Sequence, residues 1–264
     1  MPKFQLMFRK KYFKNWVKYI LLLITFLVIV VSIGLLYLQN QLKKKGEQTF
    51  YKSFEIAIPN NYNINGIDVS KYQSYIYWNS VKEMKIDSID IDFAFVKATE
   101  GLADIDDMFN RNWSLLKQHK IIHGAYHYFI ATSDGKQQAK NFIKTVKLEK
   151  GNLPPVVDVE QVFDVDKLLF LNRLKKCLSE LEKHYRVKPI IYTYTEFYNN
   201  YLGEEFDTYL LWVAHYTEDK KPNINRNWTF WQHSNTGRVN GITEKVDFNV
   251  FNGDSIAFNK ILMQ

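Results

Sequence analysis

The chain contains a single cysteine, Cys177, among its 264 residues. One thiol excludes an intramolecular disulfide framework and a zinc site built from several cysteines, but it leaves the redox compartment open. Cys177 lies in an amphipathic helical pattern, so we interpret it as a small core residue rather than a nucleophile.

Several signatures of common functions are also absent. The sequence has no GxxxxGK[ST] phosphate loop, no GxGxxG fingerprint, no GxSxG nucleophile motif and no HExxH metal motif. We therefore expect no metal and no cofactor. We interpret His123 and His127 as hydrogen-bonded structural residues.

Acidic residues are nearly missing from the N-terminal part, where positive charge is concentrated. Residues 1–52 hold ten of the 35 Lys and Arg residues and one of the 28 acids, which leaves 25 basic and 27 acidic residues elsewhere. The formal net charge of +7 therefore belongs to the N-terminal part alone. Because the remainder has no global basic field, we exclude nucleic acid as a partner.

One long stretch, residues 20–38, has no charged residue. Its 19 residues are long enough to cross a hydrocarbon core of about 30 Å. The stretch is longer than the usual apolar region of a signal peptide, and no small-x-small cleavage site follows it. We predict an uncleaved single-pass anchor in a bilayer, with a cleaved signal peptide as the alternative.

The flanking charges predict how this anchor is oriented. Six basic residues and no acid precede it, which favours a cytoplasmic segment at residues 1–19. The C-terminal domain is then expected outside the cytoplasmic membrane, in the periplasm or at the cell surface. Residues 39–63 are polar and lack a clear period, so we predict a tether there, with a short strand at FEIAI, residues 54–58.

From residue 64 onward, short apolar runs alternate with helical patterns. Eight runs are predicted as strands: residues 64–70, 92–99, 121–129, 154–160, 188–194, 209–216, 228–234 and 245–251. Helical patterns follow the earlier strands, whereas short polar connections separate the last three. This order predicts an α/β fold, a TIM-like barrel with a degenerate end, over residues 64–255 with a tail at 256–264.

Acidic residues stand at the predicted ends of four strands, namely Asp68, Asp158, Glu160 and Asp247. The active sites of such barrels lie at the C-terminal ends of the strands. Asp158 and Glu160 share one face about 7 Å apart, because side chains alternate along a strand. Asp68 and Asp247 come from the first and last strands, which become neighbours when a barrel closes.

Four acids around one opening predict acid–base chemistry on a sugar. Their proximity raises at least one pKa, which keeps a carboxylic acid protonated near neutral pH. Aromatic residues at the neighbouring strand ends suit the apolar faces of sugar rings, and carboxylic acids protonate glycosidic oxygens. A lone aspartate such as Asp68 could instead cap the following helix, but four acids at strand ends exceed what capping explains.

Residues 64–251 resemble glycoside hydrolase family 25, the lysozymes of the Chalaropsis and phage-endolysin type. The stretches that carry the resemblance are GIDVSKYQ, FAFVKATEG, GAYHYF, LPPVVDVE, KPIIYTY, LLWVAHY, WTFWQHS and GITEKVDFNVF. Ser74 departs from the family pattern, which often has glycine there, and His215 stands where arginine is frequent. The resemblance implies a (β/α)5(β)3 barrel and cleavage of the β-1,4 bond between N-acetylmuramic acid and N-acetylglucosamine in peptidoglycan glycan strands.

Site residues follow from the same resemblance. Glu160 matches the catalytic acid, Asp158 the aspartate of the DxE pair, and Asp68 and Asp247 the acids of the first and last strands. The expected substrate-binding residues are Tyr126, Tyr192, Trp212, Gln232 and Asn249.

Two mechanisms stay open for these residues. In one, the substrate's 2-acetamido group attacks, oriented by Asp158. In the other, Asp68 or Asp247 assists a direct attack by water, with inversion. A non-catalytic peptidoglycan-binding protein and a chitinase-like glycosidase are the alternative functions, and a wall-degrading enzyme on an anchor suggests a bacterium.

Overall fold

The computed structural model describes residues 3–45, 48–216 and 221–264. Contacts divide the chain into two units, Met1–Glu47 and Gln48–Gln264. The first contains helix α1, Lys3–Lys45. Within α1, Trp16–Gln39 has a mean hydropathy of 2.9 and 24 residues, enough to span a bilayer. A membrane anchor and a signal sequence both satisfy this description.

Among its described residues, the second unit contains thirteen strands and six α-helices, arranged around a barrel sheet. Its strands are β1 Gln48–Tyr51, β2 Ile56–Pro59, β3 Asn65–Val69, β4 Lys85–Ile86, β5 Ile89–Asp90, β6 Phe93–Glu100, β7 Asp104–Ile105, β8 Ile122–Tyr128, β9 Val156–Asp158, β10 Ile190–Tyr194, β11 Leu210–Ala214, β12 Phe230–Gly237 and β13 Val246–Phe251. Its helices are α2 Trp78–Glu83, α3 Phe109–Gln118, α4 Gly135–Thr145, α5 Lys167–Tyr185, α6 Thr195–Phe197 and α7 Ser255–Ile261.

Eight of these strands close into a barrel, which confirms the predicted fold. They pair in the order β3-β13-β12-β11-β10-β9-β8-β6, and β6 pairs back to β3. All eight correspond to the predicted strands. Seven are parallel, while β13 is antiparallel to both β12 and β3. The reversal is possible because the β12–β13 connection has no crossover helix.

Alternating residues of the strands face either the lumen or the helices. The lower lumen is filled by Phe93, Phe95, Phe230 and Phe251, together with Phe258 of α7. The opposite faces pack on the helices and include Val157, Val213 and Phe248. This alternation fixes which residues point into the barrel.

Cys177, His123 and His127, which are interpreted from the sequence as structural residues, are all buried. Cys177 is buried in the layer between strands and helices, where burial raises the pKa of its thiol. His127 bonds to Thr99 through Nδ1 at 2.7 Å and to Gln138 through Nε2 at 3.2 Å. His123 bonds to the Ile121 carbonyl at 2.7 Å. These contacts confirm the structural interpretation of both histidines.

The predicted tether over residues 39–63 is wrong for its described part. Residues 39–45 continue α1, and β1 and β2 form an antiparallel hairpin within the second unit. Phe54, Ile56 and Ile58 are buried in the core, and Arg238 N–H donates to the Phe54 carbonyl at 2.9 Å. Apolar burial therefore makes this hairpin part of the folded unit; residues 46 and 47 lie outside the described ones.

The predicted C-terminal tail, 256–264, is also wrong. Asp254 accepts the Ala257 N–H at 2.8 Å and caps α7. Phe258 is buried against Phe93, Phe230 and Phe251. The helix covers the lower end of the lumen, which a (β/α)-type barrel must fill with apolar side chains.

Candidate active site

A cleft of about 250 Å³ opens at the C-terminal ends of the parallel strands. It is lined by Asp68, Val69, Ser70, Tyr72, Gln73, Lys97, Tyr126, Tyr128, Asp158, Glu160, Tyr192, Trp212, Tyr216, Gln232 and Asp247. Three carboxylates from β3, β9 and β13 and one just past β9 therefore face a single space.

Asp247 lies at the cleft as predicted, but not because it stands at the C-terminal end of its strand. Asp247 is the second residue of β13, not near its C-terminal end. Because β13 runs antiparallel, its beginning lies where the other strands end, and Asp247 is directly opposite Asp68. A parallel β13 would have placed this carboxylate at the lower end of the barrel.

Strand β9 and the residues directly after it carry the other two acids on the lumen side. Val157 and Val159 point outward and are fully buried, which turns Asp158 and Glu160 toward the cleft. The Val159 N–H donates to the Tyr192 carbonyl at 2.9 Å and holds the chain beside β10. Asp158 is 6% exposed. Its buried Oδ1 atom has no hydrogen-bond partner among the described residues.

The pKa values of both β9 acids are raised. Burial is the main cause for Asp158, whose pKa lies well above its ordinary value; the charge of Glu160 adds to this and Lys97 opposes it. Burial followed by the charge of Asp68 raises the pKa of Glu160. Both shifts favour the protonated form of these carboxyl groups, which is the form that an acid catalyst requires.

Two chains of hydrogen bonds end on Asp68 Oδ2. Trp212 Nε1 donates to Asn249 Oδ1 at 2.7 Å, and Asn249 Nδ2 donates to Asp68 at 2.7 Å. Gln232 Nε2 donates to the same oxygen at 2.8 Å. Gln232 Oε1 in turn accepts the Tyr192 hydroxyl at 2.8 Å and the Tyr216 hydroxyl at 2.5 Å.

Eight of the nine predicted site residues line the cleft: Asp68, Tyr126, Asp158, Glu160, Tyr192, Trp212, Gln232 and Asp247. Asn249 does not. It is fully buried below Asp68, where its amide orients that carboxylate instead of meeting a ligand. Trp212 stacks on Phe95 with ring centroids 4.3 Å apart, so the apolar lumen supports it from below.

The model of the glycosyl hydrolases family 25 matches residues 67–242 of the chain. The chain belongs to glycosyl hydrolase family 25. YegX of Escherichia coli K12 is 44% identical over 202 residues, which are 76% of this chain and 74% of YegX.

Relatives of this glycosyl hydrolase include enzymes and a solved structure. Lysozyme M1 of Streptomyces globisporus is 33% identical over 207 residues, 73% of this chain and 69% of the lysozyme. The structure of a family 25 glycosyl hydrolase from Bacillus anthracis matches with a TM-score of 0.72 at 33% identity, over 78% of this chain and 96% of that one. The chain is therefore a glycosidase of the lysozyme type.

Several cleft residues of this glycosidase were missed from the sequence. Lys97 Nζ lies 2.7 Å from Glu100 Oε2 and 5.0 Å from the centre of the Tyr128 ring. A lysine inside a buried strand was a signal that could have identified it. Tyr72 and Gln73 lie in a 3-10 turn, Lys71–Gln73, that follows β3. A search for polar residues at the ends of strands therefore does not find them.

Proposed function

We propose that this family 25 enzyme cleaves the β-1,4 bond between N-acetylmuramic acid and N-acetylglucosamine of peptidoglycan. Glu160 is the general acid, and Asp158 orients the substrate's 2-acetamido group. The unpartnered Asp158 Oδ1, buried beside Glu160 in the cleft, carries this proposal.

The position of Glu160 supports its role as proton donor. It stands at the opening of the cleft, two residues beyond Asp158 on the same side of the chain, and its pKa is raised by burial and by the Asp68 charge. The glutamic acid gives its proton to the glycosidic oxygen as the bond from that oxygen to the anomeric carbon breaks.

The unpartnered oxygen of Asp158 supports substrate assistance. A buried acceptor without a donor is costly, and an acetamido N–H is a donor that would satisfy it. Held in this way, the acetamido carbonyl oxygen bonds to the anomeric carbon and forms a cyclic oxazolinium intermediate. Water then attacks that carbon as the bond from the carbon to the acetamido oxygen breaks, which restores the acetamido group, and the water gives a proton to the Glu160 carboxylate, which regenerates the acid.

Glu160→Gln tests the catalytic role because the amide keeps the shape and cannot donate a proton in the same way. Loss of general acid catalysis should lower kcat by about 10²–10⁴-fold on purified peptidoglycan, with glycan binding retained. Glu149→Gln is a matched control, since Glu149 is exposed and pairs with Lys117 away from the cleft. Unchanged hydrolysis by Glu160→Gln would refute the assignment.

The anomer formed first tests the route. Substrate assistance involves two displacements and predicts the β-anomer, observed by proton NMR before mutarotation. An α-anomer would show single-step attack by water and exclude the acetamido route. Mass spectrometry of products from peptidoglycan and chitin, digested in parallel, separates a muramidase from a chitinase-like enzyme.

The apolar segment of α1 supports a location at a membrane. We infer that Trp16–Gln39 anchors the enzyme in a bacterial cytoplasmic membrane with its N-terminus inside and the barrel outside. Protease added to intact spheroplasts should then degrade the barrel, and the mature protein should retain residues before Trp16. A mature chain that begins after Gln39 would identify a signal sequence instead.

A further inference from the structure

Asp68 and Asp247 form a pair of acids that the proposed mechanism leaves without separate roles. They are direct cross-strand partners in the antiparallel β3–β13 pair and face the lumen together. Asp68 is 6% exposed, so little water screens it. Two like charges placed opposite each other in this way repel strongly, which makes a doubly ionised pair unfavourable.

The hydrogen bonds around Asp68 indicate which acid is ionised. An indole N–H can only donate, so Trp212 fixes Asn249 Oδ1 as the acceptor and Asn249 Nδ2 as the donor to Asp68 Oδ2. Gln232 Nε2 donates to the same oxygen. Asp68 Oδ2 therefore accepts two N–H groups, which is the environment of a carboxylate oxygen and not of a protonated one.

Asp247 lacks a comparable set of donors. No hydrogen bond from an N–H group to its side chain is found among the described residues, whereas its carboxyl group bonds to that of Asp68. Two carboxyl groups can bond to each other only when one carries a proton. With Asp68 ionised, that proton resides on Asp247.

We propose that Asp247 is a positioning residue that holds the single proton of this pair and donates a hydrogen bond to the ionised Asp68. The fixed negative charge of Asp68 then helps to keep Glu160 protonated before the glycosidic bond breaks. This assignment rests on the proposed role of Glu160, and it removes Asp247 as a base for direct attack by water.

The other titratable groups around the cleft are consistent with one proton on the pair. Those facing it are Lys97 from β6, Tyr126 from β8, Asp158 and Glu160 from β9, Tyr192 from β10 and Tyr216 after β11. Lys97 is the one cation among them and bonds to Glu100, so it does not neutralise both aspartates. Burial and the Asp68 charge raise the pKa of Asp247.

Two substitutions of Asp247 separate a neutral donor from an ionised base. Asp247→Asn keeps an N–H donor for Asp68 and cannot ionise, whereas Asp247→Leu keeps similar bulk and loses the donor. The full-length protein in detergent is assayed on purified peptidoglycan from pH 4 to 9. We expect Asp247→Leu to lose about 100-fold in kcat and Asp247→Asn to be about tenfold more active than Asp247→Leu, the scale of one hydrogen bond to a charged group.

Glu160→Gln in the same assay separates the two proposals. If Glu160→Gln is active, the proposed catalytic acid is wrong. If it is inactive, and Asp247→Asn is no more active than Asp247→Leu while both melt like the wild type, the positioning role of Asp247 is wrong.

An infrared measurement gives a result that does not depend on activity or on the Leu variant. The difference spectrum of wild type minus Asp247→Asn at pH 7 should contain the C=O band of a protonated carboxyl group. Carboxylate bands in its place would show that Asp247 is ionised and would overturn the proposal. A protonated C=O band that the Asn variant lacks, together with higher activity of Asp247→Asn than of Asp247→Leu, would support the proposal on both counts.

Discussion

The lower and upper halves of the barrel lumen are formed by the same strands and by the same inward faces. In the lower half these faces carry phenylalanines, such as Phe93, Phe95 and Phe230, in contact with each other and with α7. In the upper half they carry carboxylates, amides and tyrosines around a cleft. The change occurs within two residues on each of two strands: Phe230 precedes Gln232 on β12, and Phe251 follows Asn249 on β13.

This difference shows how the barrel separates stability from chemistry. The apolar half gains free energy from burial, whereas the polar half buries acids with raised pKa values at a cost in stability. Substitutions in the two halves should therefore change stability in opposite directions.

The largest expected effect is at the lower half. Phe230→Ala removes a fully buried ring that packs on Phe93, Phe95, Phe251 and Phe258, and it should lower the free energy of unfolding by about 3–5 kcal/mol. Urea denaturation followed by tryptophan fluorescence measures this. Phe230→Leu is the control and should cost less, because it fills most of the space. Equal losses would show that cavity formation is not the cause.

An upper-half substitution should stabilise the protein. Asp158→Asn replaces a buried acid whose pKa is well above its ordinary value by a neutral group of the same shape. We expect a higher free energy of unfolding at pH 7, because Asp158 ionises more readily in the unfolded chain than in the native protein, together with a large loss of kcat. Asp104→Asn, at an exposed position on β7, is the matched control. A destabilised Asp158→Asn would contradict the comparison.

The pH dependence of stability follows from the raised pKa of Asp247. Above the ordinary range for aspartate, the native state holds a proton that the unfolded chain has released. The native state therefore binds more protons, and stability falls as pH rises toward the raised pKa. The difference in unfolding free energy between wild type and Asp247→Asn should fall by up to about 1.4 kcal/mol per pH unit above pH 4. A difference independent of pH would contradict a raised pKa.

The smallest expected effect concerns a backbone turn beside the cleft. Ser74 has φ 53° and ψ −135°, a conformation that favours glycine, and its N–H donates to the Lys71 carbonyl at 2.9 Å. Ser74→Gly should stabilise the fold by about 1 kcal/mol through loss of this strain. Ser74→Ala keeps the strain and should give no gain in thermal melts. Equal melting temperatures for the Gly and Ala variants would exclude strain as the cause.

Local patterns in the sequence predicted the eight strands and the four acids at the strand ends, whereas the resemblance to family 25 implied the substrate-binding residues. The sequence predicted a short strand at FEIAI, which overlaps β2, but it missed the pairing of β2 with β1 and the helix α7. These short apolar segments resemble a tether and a tail until the core that covers them is known. Leu168, near the beginning of α5, is 78% exposed, and the buried residues of this helix are Phe170, Leu174, Cys177, Leu178 and Leu181. The core facing α5 begins only one turn into the helix.

By itself, the sequence determined that Asp158 and Glu160 share a face, because side chains alternate along a strand whatever surrounds it. The tertiary structure alone decided that β13 runs antiparallel, that Asp247 meets Asp68 and that Asn249 lies beneath the cleft. Alternation is the same for a strand in either direction, so its pattern does not encode which end of β13 lies at the cleft. Pairing with β12 on one side and with β3, which is distant in sequence, on the other makes that choice.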